Sequence, residues 1–504
     1  MDKNSSPNEI NNIEGQLSIT ADDIEEFSAA ANQLFSEADK KAAQLGAPEA
    51  SNEKASNEDR TEKPVVGSAD EHKSDKPRAA EKAPEPANTQ KPSVDSKPDP
   101  APALSDMEVM EHTASIWQYK EIIKDGTELH TEYHQKRLRM HFADITGARV
   151  RGKKHKHEGT NCDDYFETAV TDDCAIAVVC DGAGSRRFSR IGSRVSAETA
   201  AAYLKEKLTE LFWNIPDLKD GLCADLSSAE FMAACGRIAA LLRGSAAEAF
   251  AAQQSRLKEI ENDKSYNDAL GRKPVIGDMG TTFLAAVIVP LVIDMKPQTF
   301  MACVQVGDGC ICALDSTADS GSCLKLMGEA DSGKFSGETD FLSEKNSNSN
   351  SIGAKTRISR GSSDVILLMS DGVADDYFPA KPMMKRLYLD LCLNGIFPMD
   401  KGDYSAPSGE DPAPIRFKSV SASQQSVALQ YSKQLISKNG EKSEEAVNAL
   451  WDKREMLYCH SLEAFRMNIG DTPEERLRVW LDNYNERGSF DDRTLVAVKI
   501  THDI

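Results

Sequence analysis

The chain has 504 residues, with 81 Asp and Glu against 60 Lys and Arg and a formal charge of −21. That balance argues against nucleic acid or an anionic membrane surface as the main partner. No run of about 18 apolar residues occurs, and the opening MDKNSSPNEI holds no apolar stretch of the kind a secretory signal needs, so a cytoplasmic location is expected.

Residues 1–106 hold ten of the 21 prolines and only two aromatics, Phe27 and Phe35. Runs such as EKAPEPANTQKPSVDSKPDPAPA cannot bury enough apolar surface to offset their chain entropy, so a disordered acidic tail is expected. Within it, Thr20 as a cap, acidic residues in the first turn, apolar Ile24, Phe27, Leu34, Ala38 and Leu45, and then Gly46 predict one short helix over about 20–45. Docking on a protein partner, docking on the globular domain and no role at all are equally open for it. Residues 107–145 read as a polar helical linker, and the ordered domain is expected over 146–504.

Seven strands are predicted in order: YFETAV, CAIAVVC, TTFLAAVIV, FMACVQV, ICALD, DVILLMS and TLVAVKI. Between the second and third, SRVSAETAAAYLKEKLTELFW and SAEFMAACGRIAALLRGSAAEAFAAQQSRL carry helical spacing. This order predicts α+β layers rather than alternating βαβ units. From Pro379 to about Gly488 runs a partly helical excursion of the kind that borders a site. The 11 cysteines include no CxxC pair and read as reduced, mostly buried thiols.

An Asp-Gly pair alone is a turn formula. Here, however, three apolar strands run into one: CAIAVVC into Asp181-Gly182, FMACVQVG into Asp308-Gly309 and DVILLMS into Asp371-Gly372. Hairpin geometry brings Asp163 and Asp164, which precede YFETAV, beside Asp181, and an antiparallel neighbour would bring Asp491 and Asp492 beside Asp371. Clustered carboxylates repel one another unless cations neutralise them, and oxygen donors without a Cys/His set favour Mg²⁺ or Mn²⁺.

The strings HKHEGTNCDDYFE, VVCDGAGSRRFSRIGSRVSAETA, MGTTFLAAVI, VQVGDG, ILLMSDGVADDYF and FDDRTLVAV resemble, in order and spacing, the motifs of the protein phosphatase type 2C (PPM) family in its bacterial form. The resemblance implies a four-layer αββα sandwich of two mainly antiparallel sheets. It implies a metal-dependent phosphatase that hydrolyses phosphoserine and phosphothreonine in proteins through a hydroxide bridging two metal ions, without a phosphoenzyme. Asp181 would bridge the ions with the Gly182 carbonyl beside it, Asp371 and Asp491 would ligate, and Asp164 would orient the attacking water. Asp308, Asp163 and Asp492 would serve a third ion or support the first two. Phosphoprotein substrates and a cognate Ser/Thr kinase system are the implied partners.

Two positions depart from the family. Ala183 stands where many members carry a His after Asp-Gly, and Gly159 stands where a phosphate-binding Arg is found. Arg151, His155, His157, Arg186 and Arg187 are the candidate replacements for that Arg. Plainer readings stand beside these: His155 and His157 on a solvated basic loop, the arginines paired with surface acids, Ser185 as a helix cap, and Asp375 and Asp376 as first-turn acids. Two rival functions are a phosphatase-shaped binding module and a hydrolase of another phosphoester.

Overall fold

A strand that is apolar on both faces needs cover on both sides, and here every central strand receives it. The computed structural model describes residues 118–328, 340–347, 349–393, 396–397, 443–452, 472–483 and 490–501. The tail with its predicted disorder and helix, and the loop MDKGDYSAPSGEDPAPIRF, lie outside the described residues.

The strands are β1 (Tyr133–Arg139), β2 (Ala143–Val150), β3 (Tyr165–Val170), β4 (Ala175–Cys180), β5 (Phe283–Ile293), β6 (Lys296–Val306), β7 (Cys310–Leu314), β8 (Leu324–Leu326), β9 (Thr356–Gly361), β10 (Val365–Met369) and β11 (Arg493–Ile500). They form a six-stranded sheet in the order β1-β2-β11-β10-β7-β8 and a five-stranded sheet in the order β3-β4-β5-β6-β9. Every pairing is antiparallel.

The helices that matter for the site are α1 (Lys153–Glu158), α2 (Ser189–Asn214), α3 (Ala229–Ile260), α4 (Asp371–Ala374), α5 (Ala380–Leu393), α6 (Glu444–Trp451) and α7 (Pro473–Asn483). Alternation along the strands assigns the layers. In β10, Ile366 and Leu368 meet Val179, Leu284 and Val496 between the sheets. Their neighbours Val365, Leu367 and Met369 point the other way, into a core with Leu387, Trp451 and Leu481 of α5, α6 and α7. On the opposite side, Ile176, Val178 and Cys180 of β4 pack under Leu204 of α2 and Ile238 of α3. The result is the expected αββα arrangement, and the described helices of the 379–488 excursion make its fourth layer.

Trp451 is fully buried, and its Nε1 donates to the Ala318 carbonyl at 2.9 Å. Trp451→Ala is therefore expected to destabilise the fold by about 3–5 kcal/mol, read as a lower urea midpoint. An unchanged midpoint would show that α6 adds nothing to the core.

One expectation fails. The linker predicted as helical over 107–145 carries β1 and the first three residues of β2, and residues 118–132 before them are neither helix nor strand. The charged pattern YHQKRLR suits an edge strand whose only strand partner among the described residues is β2, so tertiary pairing overrides local preference. In β2, Gly147 reads as a breaker, yet it makes room for a ring: a Cβ there would stand 2.3 Å from Phe166 Cε2. The short strands β8 and β9 were also not expected. Of the described cysteines, all ten are free thiols and nine are buried.

Candidate active site

Register builds the rim. Tyr165 opposes Cys180, which sets Asp164 beside Asp181 at the end of the β3–β4 hairpin. Met369 opposes both Cys310 and Leu495, which draws the ends of β7, β10 and β11 together and with them Asp308, Asp371 and Asp491. Hydroxyls tie these ends down. Thr282 Oγ1 accepts the Asp181 N–H at 2.9 Å, Thr281 Oγ1 donates to the Asp181 carbonyl at 2.7 Å, and Ser370 Oγ accepts the Thr494 N–H at 3.0 Å. Across the gap between the sheets, Thr494 Oγ1 donates to Asp164 Oδ2 at 2.6 Å. Five strand ends thus converge where sequence reasoning put them; the threonines and Ser370 that hold them carry no signal of their own.

The acids perturb one another. Burial and then the charge of Asp492 raise Asp164 to about 8, and the same two causes raise Asp163 to about 7. Burial raises Asp371 to about 6, with Asp308 and Asp491 adding to it, while its hydrogen bond with Asp181 pulls the other way. Asp181 is pushed well above the carboxylate range by burial and by the charges of Asp164, Asp371 and Asp491. Buried, mutually repelling oxygen donors of this kind suit a hard divalent cation, which would restore all of them to the charged form.

A second set gathers around Asp492. Its carboxylate accepts the Gly152 N–H at 2.6 Å and the Asp163 N–H, and it meets His155 Nδ1 at 2.9 Å. His155 Nε2 lies 3.8 Å from Asp491 Oδ1. Among the described residues, His155, Asp491 and Asp492 are the only three possible ligands whose ligand atoms lie within 4.8 Å of one another. Burial disfavours charge on both partners, but their pairing outweighs it: His155 rises to about 10 and Asp492 falls below its usual range. We therefore read the trio as an ion pair buttressing Asp491. The basic run VRGKKHKHEG is accordingly no solvated loop. It forms α1, seats His155 in the interior and turns it toward Asp492 rather than toward a phosphate.

Glycines permit this closeness. A Cβ on Gly182 would stand 2.4 Å from the Asp163 carbonyl oxygen, and one on Gly152 would stand 2.3 Å from the Asp491 carbonyl carbon. Gly152→Ala is expected to cost about 1–3 kcal/mol and to weaken Mn²⁺ binding, because the backbone of a proposed ligand must shift. Thermal melts with and without Mn²⁺ would show both effects, and a variant with wild-type values in both would contradict them.

The other candidates scatter. Arg151 donates to Glu132 and to the carbonyls of Lys120 and His155. Arg187 pairs with Asp125 at 2.6 Å, and His157 Nδ1 accepts the Gln118 N–H at 3.1 Å. Arg186 is exposed on the turn after Asp181. Ser185 caps nothing, since the N-cap of α2 is Phe188. Asp376 is no surface acid: it is buried and lies 3.7 Å from Arg493 of β11.

The family model for protein phosphatase 2C matches residues 151–391. Among solved structures, RsbX in complex with magnesium is similar at a TM-score of 0.28 and 11% identity, covering 73% of this chain and 100% of that one. A bacterial serine phosphatase gives a TM-score of 0.32 and 12% identity, covering 71% and 98%. The serine-threonine phosphatase 2C from Toxoplasma gondii gives 0.32 and 11%, covering 73% and 99%. Curated proteins include no match. It is the family match, and not these distant likenesses, that bears on the domain: residues 151–391 are similar to the protein phosphatase 2C family.

Proposed function

We infer that this protein hydrolyses phosphoserine and phosphothreonine in other proteins with the help of Mg²⁺ or Mn²⁺. The observation that carries the reading is the convergence of Asp164, Asp181, Asp371 and Asp491 from both sheets on one rim, three of them with carboxyls held above the usual range.

Asp181, the Gly182 carbonyl, Asp164, Asp371 and Asp491 would hold two ions, with Asp308 available to a third. The chemistry such ions would supply there is activation of a water for in-line attack on phosphorus and an offset of charge on the phosphoryl oxygens. Asp164, fixed by Thr494, orients the attacking water. Asp492 and His155 keep Asp491 and the Asp163–Asp164 turn in place, and Asp163 is an outer member of the set. Ala183 supplies no proton to the leaving alkoxide.

The substrates are phosphoproteins, maintained by a Ser/Thr kinase that opposes this enzyme, in the cytoplasm. No helix among the described residues is long and apolar enough to cross a membrane. The tail is the proposed docking segment for a protein partner.

Purified chain with Mn²⁺ is expected to release phosphate from phosphoserine and phosphothreonine peptides and from an aryl phosphate, and to stop when EDTA is added. Turnover confined to nucleotides or phosphodiesters would replace this reading. Calorimetry showing no Mn²⁺ binding would favour a binding module instead.

A further inference from the structure

We propose that Arg186 grips the phosphate of the substrate at this site. This deepens the phosphatase reading and rests on it. A guanidinium fork matches the oxygens of a phosphate, and the position where the family carries such an arginine is Gly159 here.

The structure narrows the choice through the segment 118–132, a strap that binds a row of arginines. Thr131 takes Arg149 through its carbonyl at 3.1 Å, and Glu132 takes Arg151 at 2.7 Å. Asp125 takes Arg187 at 2.6 Å, and Thr127 Oγ1 with the Glu128 carbonyl takes Arg190, each at 2.8 Å. The Glu128 carboxylate takes Arg194 at 2.8 Å and Arg256 at 3.0 Å. Outside the strap, Arg493 donates to the Leu481 carbonyl at 2.8 Å. These guanidiniums are held by the protein itself.

Arg186 is placed differently. Its N–H closes a turn onto the Ala183 carbonyl at 2.8 Å, and its carbonyl accepts the Ser189 hydroxyl at 2.8 Å, so the backbone is pinned on both sides. The side chain is exposed. Its stem passes Gly280, where a Cβ would stand 3.6 Å from Arg186 Cγ. Gly280 leads directly into Thr281 and Thr282, which hold Asp181. The acid it senses, Asp278, is already held by both terminal nitrogens of Arg272 at 2.7 and 2.6 Å. A pinned backbone five residues after Asp181, an exposed side chain and a stem beside the segment that holds Asp181 make Arg186 the candidate to meet a phosphate arriving at the acids.

The test uses the full chain with saturating Mn²⁺, as wild type, Arg186→Ala and Arg186→Lys, on an aryl phosphate and a phosphothreonine peptide. Arg186→Ala should raise KM for both substrates by about 10- to 100-fold with little change in kcat. The inhibition constant of inorganic phosphate should rise in parallel, and Arg186→Lys should fall between the two. Unchanged KM and phosphate inhibition in Arg186→Ala overturn the proposal. So does a rise confined to peptides with acidic residues beside the phosphothreonine, which would make Arg186 a reader of flanking charge. If the wild type hydrolyses neither substrate, the activity reading has failed, and calorimetry with inorganic phosphate on Mn²⁺-loaded protein then judges this proposal alone. Binding lost in Arg186→Ala supports it; equal binding, or none to the wild type, overturns it.

Discussion

Asp181→Asn is expected to lower kcat/KM for the aryl phosphate and the phosphopeptides by more than about 100-fold, since even residues that only support a metal ligand are worth 10- to 100-fold. The substitution is isosteric. It keeps the backbone bonds to Thr281 and Thr282, which use only main-chain atoms of residue 181. What it removes is one negative oxygen at the point where Asp164, Asp371 and Asp491 act together. The metal-free variant should be more stable than the metal-free wild type, because one buried acid that resists ionisation is gone. Loss of activity with raised metal-free stability would separate a lost ligand from a damaged fold. Full activity would remove Asp181 from the chemistry, and with it the two-ion site.

The metal-free protein should lose stability as pH rises from about 5 to about 8. The sign follows from proton counting. Asp164 ionises near 8 in the folded chain and near 3.9 in an unfolded one, so between those values the folded state holds the extra proton and each rise in pH favours unfolding. Asp371, at about 6, contributes over the lower part of the same window. His155, at about 10, acts in the same direction from about 6.5 upward, as its folded-state proton is progressively undercut. Asp492 works in the opposite sense, but only in acid, where its pairing with His155 is lost. Saturating Mn²⁺ should flatten the carboxylate part of the slope, because the bound carboxylates are then ionised throughout, and should raise stability at pH 8 by mass action. Urea midpoints at pH 5.5, 7 and 8.5, in EDTA and in Mn²⁺, would test this. A flat or rising EDTA profile would mean that the acids do not confront one another in the folded chain.

The sandwich was legible where burial is two-sided. VILLM and AIAVVC are apolar at every position because one face meets the other sheet and the alternate face meets helices. β1 and β2 were illegible for the converse reason: one is a charged edge, and the other carries a glycine whose purpose is a ring belonging to a different strand. The aspartates were legible because each ends or precedes a strand, so that local sequence alone sets their position along the rim. The pairing of His155 with Asp492 spans 337 positions. No local pattern announces it, and it turned a candidate phosphate ligand into a support for Asp491. The arginines followed the same rule, their partners lying on a segment that shows no periodicity at all.

That strap also decides where the domain ends. Judged by hydrophobic pattern, the fold starts near Ile145, yet Glu128 sits as the common counterion of Arg194 and Arg256, its carboxyl held down at about 2 by His130, Arg194 and Arg256 against the opposing effect of burial. A chain cut at the hydrophobic border would lose β1 and the start of β2, and it would take Glu128 from Arg194 and Arg256 on the two longest helices, leaving them Glu198 and Glu259 of their own helices. The border of this protein is therefore electrostatic before it is apolar: the segment that closes the fold at this end does so as the counterion of Arg187, Arg194 and Arg256.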